Sequence, residues 1–256
     1  MPLLEQLLPA QVFGFFLVFA RVGSAFSVLP GFSEAFIAIR FRLLLAGMTS
    51  LVVAPVIAPG LPQAPDSPIG LLLLVGGEAI IGLFLGLTAR LALAAIQTAG
   101  MIIGLQTGLA NAFAYDPITA QQNAVIGAWL STMALVLIFV TDLHHLMLRG
   151  LVDSYVVFRP SEPIPLGDLT SLIVRLTSSS FLLGIQIATP FMAFGFIFML
   201  ALGLIARLMP QVQIFFVAMP LQIVIGFIAL GSTVGVGLVI FLNRFESVIS
   251  TFSMIR

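Results

Sequence analysis

Six long apolar segments occupy most of this chain. They cover residues 12–29, 43–58, 69–114, 124–140, 176–206 and 212–242. About 20 helical residues cross a bilayer core about 30 Å thick, so the first, second and fourth segments each fit one crossing. The third segment would reach about 69 Å as one straight helix at 1.5 Å per residue. The segments therefore predict a polytopic membrane protein in which the longer ones are not simple rods.

The composition supports the same class of protein. Of the 256 residues, 60% are hydrophobic and 8% are charged, whereas a soluble domain has about 25% charged residues. We therefore expect an all-α integral membrane protein in which residues 1–256 form a single membrane domain. Acidic and basic residues balance, at 10 each, so no basic surface for nucleic acid is expected. Cysteine is absent, which excludes disulfides and cysteine metal sites.

Glycines and prolines mark the expected breaks in the longer segments. Segment 69–114 is expected to be broken or folded back at one or more of Gly76, Gly77, Gly82, Gly86, Gly100, Gly104 and Gly108. Pro190 would interrupt the fifth segment, and Pro220 the sixth, together with Gly231, Gly235 and Gly237. This pattern predicts three broken helices or helical hairpins beside three simpler spans. Because broken backbone at membrane depth needs cover from protein or water, we expect one subunit of a larger assembly or an enclosed cavity.

The glycine spacing also bears on helix packing. Gly100, Gly104 and Gly108 recur every four residues, as do Gly82 and Gly86, and such rows let helices approach closely in lipid. Packing within the chain is the simpler interpretation, and packing of Gly100 and Gly104 against another subunit is the alternative.

Three charged residues, Arg21, Glu78 and Arg90, fall inside apolar segments. Each would cost roughly 2.5 to 3.5 kcal/mol at the centre of a lipid-facing helix, so each is expected to face protein or water. A structural ion pair with a neighbouring helix or subunit is the simpler interpretation. A proton or ion relay is the alternative, although Glu78 is the one acidic residue found in these segments' interiors.

Neither a metal site nor an active site is expected. His144 and His145 are adjacent, and neighbouring side chains on a helix point about 100° apart, which makes a poor two-ligand clamp. No phosphate-binding loop, nucleophile elbow or HExxH motif occurs. We therefore expect no cofactor, no metal and no enzymatic activity.

Three stretches together resemble one protein family. They are LPGFSEAFIAIRFRLLLAG at 29–47, AAIQTAGMIIGLQTGLANAFAYDP at 94–117 and ATPFMAFGFIFMLALGLIARLMPQVQIFFVAMPLQIVIGF at 188–227. In this order and spacing they resemble the FliR family of flagellar type III export-gate subunits. The related SctT proteins of virulence secretion are the alternative, and the second stretch is more similar to the flagellar branch.

The resemblance implies a subunit of a helical hetero-oligomeric export gate in the bacterial inner membrane, at the flagellar basal body. The implied partners are FliP, FliQ, FlhB and FlhA, together with membrane lipid and the exported flagellar polypeptides. In this family the loop after the third apolar segment plugs the lumen, which gives these candidate plug residues: Gln106, Gly108, Asn111, Phe113, Tyr115, Asp116, Pro117, Gln121, Gln122 and Asn123. An ordinary re-entrant turn is the alternative for this loop.

The link before the last segment supplies the other candidates. Arg207 is expected to stop a helix, cap its carbonyls and pair across a subunit contact, although snorkelling to the interface is equally compatible with its position. Pro210, Gln211 and Pro220 are further candidates for subunit packing. A small-solute transporter remains a rival function, but it would require inverted halves and a polar site at the midplane.

Overall fold

The computed structural model describes residues 2–108, 125–211 and 213–253. This part of the chain forms seven α-helices and no β-strand. They are α1 (Pro2–Phe26), α2 (Ile39–Ile57), α3 (Pro68–Gln106), α4 (Val125–Val140), α5 (Leu143–Val157), α6 (Leu166–Leu208) and α7 (Ile214–Ser253). A short 3-10 turn, Ala58–Gly60, follows α2.

Four of these helices are long and apolar enough to cross a membrane. They are α2 with its 3-10 turn, α3, α6 and the Phe216–Thr251 part of α7. The helices α4 and α5 have 16 and 15 residues and qualify only together, as a broken span or a re-entrant loop. The all-α integral membrane class is therefore confirmed.

The breaks expected at Pro190 in the fifth segment and at Pro220 in the sixth do not occur, and this expectation was wrong. In segment 69–114 the helix ends at Gln106, and Gly108, one of the expected break points, has a left-handed backbone. Helix α3 runs through 39 residues without interruption, past every glycine from Gly76 to Gly104. Helix α6 continues through Pro190 for 43 residues, and α7 continues through Pro220 for 40 residues. A proline removes one hydrogen bond from a long helix, and the turns on either side retain theirs. The thickness of the hydrocarbon core does not limit the length of such a helix, because a long helix can tilt or extend beyond the core.

A helical hairpin is present in α6 and α7. Near the link between them, Leu202 of α6 packs with Ile214 and Ala218 of α7. Farther away, a β-carbon on Gly237 would lie 3.1 Å from Cγ2 of Ile187. Ile187 and Gly237 are equally distant in sequence from residue 212, so the two helices run antiparallel. The expectation of helical hairpins therefore holds for two long antiparallel helices, the first ending at Leu208 and the second beginning at Ile214.

The chain divides into two compact units. The first contains Met1–Ala92, Thr141–Leu176 and Phe245–Arg256, and the second contains Leu93–Val140 and Thr177–Arg244. Helices α3, α6 and α7 contribute residues to both units. The single membrane domain expected for residues 1–256 stays a prediction.

Glycines allow close helix packing inside each unit. In the first unit, Gly82 of α3 lies against the backbone of Arg21 in α1, and a β-carbon on Gly86 would lie 2.9 Å from the Ala25 carbonyl oxygen. In the second unit, Gly100 of α3 lies against Gly127 of α4. These contacts support packing within the chain, because a side chain at these positions would push the helix backbones apart. Packing of Gly100 and Gly104 against another subunit stays a prediction.

Much apolar helix surface is left uncovered by the chain itself. In their most apolar stretches, only 17% of the residues of α2, α6 and α7 are buried, and 33% of those of α3. Exposed side chains include Val52, Leu72, Phe196 and Val217. Such surfaces require lipid or other membrane proteins as their surroundings.

Candidate functional site

A buried ion pair joins α1 to α3 in the first unit. Nε of Arg21 donates to Oε2 of Glu78 at 2.6 Å, and Nη2 donates to Oε1 at 2.9 Å. Arg21 is 0% exposed and Glu78 is 2% exposed. Two parallel hydrogen bonds of this kind match the planar guanidinium to the carboxylate and are strong in an apolar interior.

Helix α5 and Phe158, the residue that follows it, satisfy the rest of the guanidinium. Nη1 of Arg21 donates to Oγ of Ser154 at 3.1 Å, and Nη2 donates to the carbonyl oxygen of Phe158 at 2.8 Å. The guanidinium carbon also lies 3.8 Å from the centroid of the Tyr155 ring, a distance at which a cation is attracted to the ring face. These three contacts were missed from the sequence, because Ser154 is 133 residues away from Arg21 and no spacing pattern connects them.

Arg90 is paired at the surface of the same unit. Its Nη1 donates to Oε1 of Glu34 at 2.9 Å and to Oγ of Ser33 at 3.4 Å. The Arg90 side chain is 39% exposed. All three charges inside the apolar segments therefore have ion-pair partners within the chain. Among the described residues Glu78 is the one buried carboxylate, so these residues provide no chain of acidic groups for a proton relay.

The bend between α4 and α5 brings three potential metal ligands together. One ligand atom from each of Asp142, His144 and His145 lies within 4.8 Å of the others. Asp142 has a left-handed backbone, with a φ of 60°, and the two imidazole rings are 4.1 Å apart at their centroids. Adjacent side chains on a straight helix would point apart, but at this bend the ligand atoms of His144 and His145 lie close together. Asp142 and His145 are largely exposed and contact each other at 3.2 Å, and the absence of a metal stays a prediction.

The C-terminal end of α3, where the amide-rich loop starts, is held by α7 in the second unit. Nε2 of Gln222 donates to the carbonyl oxygen of Gln106 at 2.8 Å. Gly108 has a φ of +74°, the left-handed conformation that commonly ends helices. A β-carbon on Gly108 would lie 3.1 Å from Cδ and Oε1 of Gln222. Gln222, which the sequence analysis did not select, is 5% exposed.

Two glycines complete this contact. Gly195 of α6 lies against the side chain of Gln106, where a β-carbon would collide with the amide oxygen. Gly226 of α7 lies against Thr107, and a β-carbon there would be 2.7 Å from Cβ of Thr107. We call these residues the α3 anchor: Gln106, Thr107, Gly108, Gly195, Gln222 and Gly226.

Comparison with known proteins identifies the family. The family described as bacterial export proteins, family 1, matches this chain over residues 12–248. The chain belongs to this family.

Similar individual proteins give the branch within this family. The chain is 35% identical to the flagellar biosynthetic protein FliR of Caulobacter vibrioides, over 95% of the chain and 97% of that protein. It is 32% identical to FliR of Bacillus subtilis, over 93% of the chain and 92% of that protein. It is 25% identical to Yop proteins translocation protein T of Yersinia pestis, over 86% and 85%.

These similarities confirm the resemblance to FliR, and the chain is a subunit of the flagellar type III export gate. The Yersinia protein fits the virulence branch as the secondary alternative. The four helices that are long and apolar enough to cross a membrane agree with a membrane-embedded structural component of an export apparatus.

The structure describes part of the residue set proposed for this export subunit. Of the plug candidates, Gln106 and Gly108 are in the α3 anchor. The other plug candidates lie outside the described residues: Asn111, Phe113, Tyr115, Asp116, Pro117, Gln121, Gln122 and Asn123.

The candidates for subunit packing in and near the link between α6 and α7 are on the surface of the chain. Arg207 lies in the last turn of α6, which ends at Leu208. Pro210 and Gln211 lie in the following turn, and Pro220 lies inside α7. All four are exposed, so their expected packing against another subunit stays a prediction.

Proposed function

We propose that this export-gate subunit lines and plugs the conduit through which unfolded flagellar proteins cross the inner membrane. The observation that carries the proposal is the low burial of its spanning helices. At 17% burial in the most apolar stretches of α2, α6 and α7, these helices leave most of their apolar surface open to neighbouring polypeptides or lipid. Polypeptides that cover these faces would complete the wall of the conduit.

The proposed neighbours are FliP, FliQ, FlhB and FlhA, and the proposed location is the flagellar basal body. These names come from the family resemblance, and the uncovered helix faces supply the surface that such partners need. The proposed mechanism is passive. The subunit provides a wall and a barrier, carries out no reaction, and depends on its partners for energy.

The amide-rich loop is the proposed barrier, and its composition suits that role. Asn111 and the amides at 121–123 hydrate readily, so exposing them to a wet lumen costs little. Phe113 and Tyr115 can fill a constriction, since burying an aromatic side chain contributes roughly 1.5 to 3 kcal/mol. Asp116 is the one charged residue from 104 to 123, so passing basic cargo finds little to bind.

Deletion of residues 109–123, with Gln106 to Gly108 retained, tests the barrier. In cells that assemble the complete gate, we expect the deletion to raise ion leakage across the membrane. Recovery of the variant with its partner subunits serves as the control for assembly. Unchanged leakage in a fully assembled gate would exclude the plug and favour an ordinary re-entrant turn.

Purification from native membranes tests whether this chain belongs to a larger assembly. We expect the unmodified chain, taken from native membranes, to carry other integral membrane subunits with it. A monodisperse single chain that binds a small metabolite would instead support the transporter alternative.

A further inference from the structure

We propose that Gln222 is a positioning residue that fixes the point at which the amide-rich loop leaves α3. The proposal rests on the proposed function of that loop as a plug. It assigns to the α3 anchor the task of holding the start of the plug in place during export.

The hydrogen bond from Gln222 satisfies a group that the helix itself leaves open. The last four carbonyls of an α-helix have no partner within the helix, and Gln106 is the last residue of α3. Nε2 of Gln222 donates to this carbonyl at 2.8 Å from a side chain that is almost fully buried. Loss of the donor would leave this part-buried carbonyl without this partner, which favours release of the helix end.

The side chain of Gln222 also sets the direction of the chain beyond the helix. Gly108 adopts its left-handed backbone directly against the Gln222 amide, with only 3.1 Å available to a β-carbon. A glycine at this point allows both the turn and the close approach. Gly108, the last described residue before the loop, is therefore held in one backbone conformation against α7.

Contacts with two other helices prevent the end of α3 from sliding. Gly195 of α6 accommodates the Gln106 side chain, and Gly226 of α7 accommodates the buried Thr107. Nearer the middle of α3, a β-carbon on Gly184 of α6 would lie 2.8 Å from the Ala95 carbonyl oxygen. Helices α3 and α6 are thus in close contact at two points along their length. None of the six anchor residues is charged, so neither salt nor a passing charged cargo should weaken the anchor.

Ion leakage through the assembled gate tests this role. We expect Gln222→Leu to raise leakage by about fivefold, because one buried hydrogen bond shifts a two-state equilibrium by roughly that factor. Gly226→Ala should act in the same direction, since its β-carbon would displace Thr107. Gly231→Ala on the same helix is the matched control, because nothing lies within 4 Å of a β-carbon there.

A double variant separates the anchor from a general loss of packing. When Gln222→Leu is combined with deletion of residues 109–123, we expect no leakage beyond that of the deletion alone. Additive leakage would overturn the anchor, because the substitution would then act without the loop. If the deletion leaks and Gln222→Leu does not, the plug stands and the anchor fails. If the deletion does not leak, the plug itself fails.

Cross-linking gives a readout that does not depend on leakage. The chain has no cysteine, and a β-carbon on Gly195 would lie 3.3 Å from Cβ of Gln106, close to the separation found in disulfides. We expect the Gln106→Cys, Gly195→Cys pair to cross-link equally in idle gates and in gates stalled with an export substrate fused to a tightly folded domain. A cross-link that is absent, or that is lost when cargo is stalled, would overturn the proposal.

Discussion

The guanidinium of Arg21 in α1 and the carboxylate of Glu78 in α3 form a two-point ion pair, at 2.6 and 2.9 Å, inside the first unit. Both charges are almost completely removed from solvent. Burial of two charges is costly, and the attraction between them offsets that cost only when the remaining hydrogen-bonding groups are also satisfied. Ser154, Tyr155 and Phe158 supply those additional contacts. The pair therefore fixes how α1, α3 and α5 pack together.

Replacing Glu78 with alanine should strongly destabilise the first unit. The substitution leaves the Arg21 guanidinium buried without its counter-ion, which typically costs about 3 to 5 kcal/mol. Replacing both residues with methionine should recover most of this loss, because no isolated charge remains. The measurement is the midpoint of unfolding in a denaturing detergent, followed by circular dichroism. A Glu78→Ala protein as stable as the double methionine variant would contradict the prediction.

Arg90→Ala provides the comparison for an exposed pair. Its partner Glu34 and the Arg90 side chain are both partly open to the surroundings, and exposed ion pairs typically contribute about 0 to 1 kcal/mol. The same unfolding measurement should show a much smaller effect than for Glu78→Ala. An equal effect would indicate that burial does not decide the importance of these charges.

Gly82→Ala should separate α1 from α3. The added β-carbon would collide with the Arg21 carbonyl oxygen and with Oγ of Ser24, and overpacking of this kind typically costs about 1 to 3 kcal/mol. Gly76→Ala in the same helix is the matched control, because nothing lies within 4 Å of its added β-carbon. Equal unfolding midpoints for the two variants would show that the close approach at Gly82 is not needed.

Arg207→Ala should reduce recovery of the assembled gate more than it changes ion leakage. Arg207 is exposed in the last turn of α6, where a cation interacts favourably with the helix end and is available to another subunit. Arg175→Ala is a suitable control, because the Arg175 guanidinium already donates to Ser171 within α6. The measurement is the amount of partner protein that co-purifies with each variant. Normal recovery of the Arg207→Ala gate would favour snorkelling.

The sequence indicated that the charges in apolar segments need partners, but not which partners they find. A charge in lipid is costly wherever its partner lies, so the requirement can be read from single residues. The partners of Arg21 lie 57 and 133 residues away, and only folding shows that α3 and α5 supply them. Gln222 was missed for the same reason, since it contacts Gln106 across 116 residues.

The glycines of α3 show where local reasoning was misleading. Their low helix propensity favoured breaks, yet the helix continues past Gly104, and Gly82, Gly86 and Gly100 lie where neighbouring backbones approach. In a packed helix, the contact that a glycine allows outweighs a propensity cost of about 1 kcal/mol. Similarly, α7 continues through Pro220, because the single lost hydrogen bond does not decide the conformation of a long helix.

The sequence by itself determined the membrane class, the helical character and the family, because hydrophobicity, helix propensity and motif order belong to individual residues and their spacing. Only the tertiary structure decided which charges pair, which glycines face a neighbouring helix and which side chain holds the end of α3. Those outcomes depend on distances of a few ångströms between residues far apart in the chain, and such distances exist only once the helices have packed.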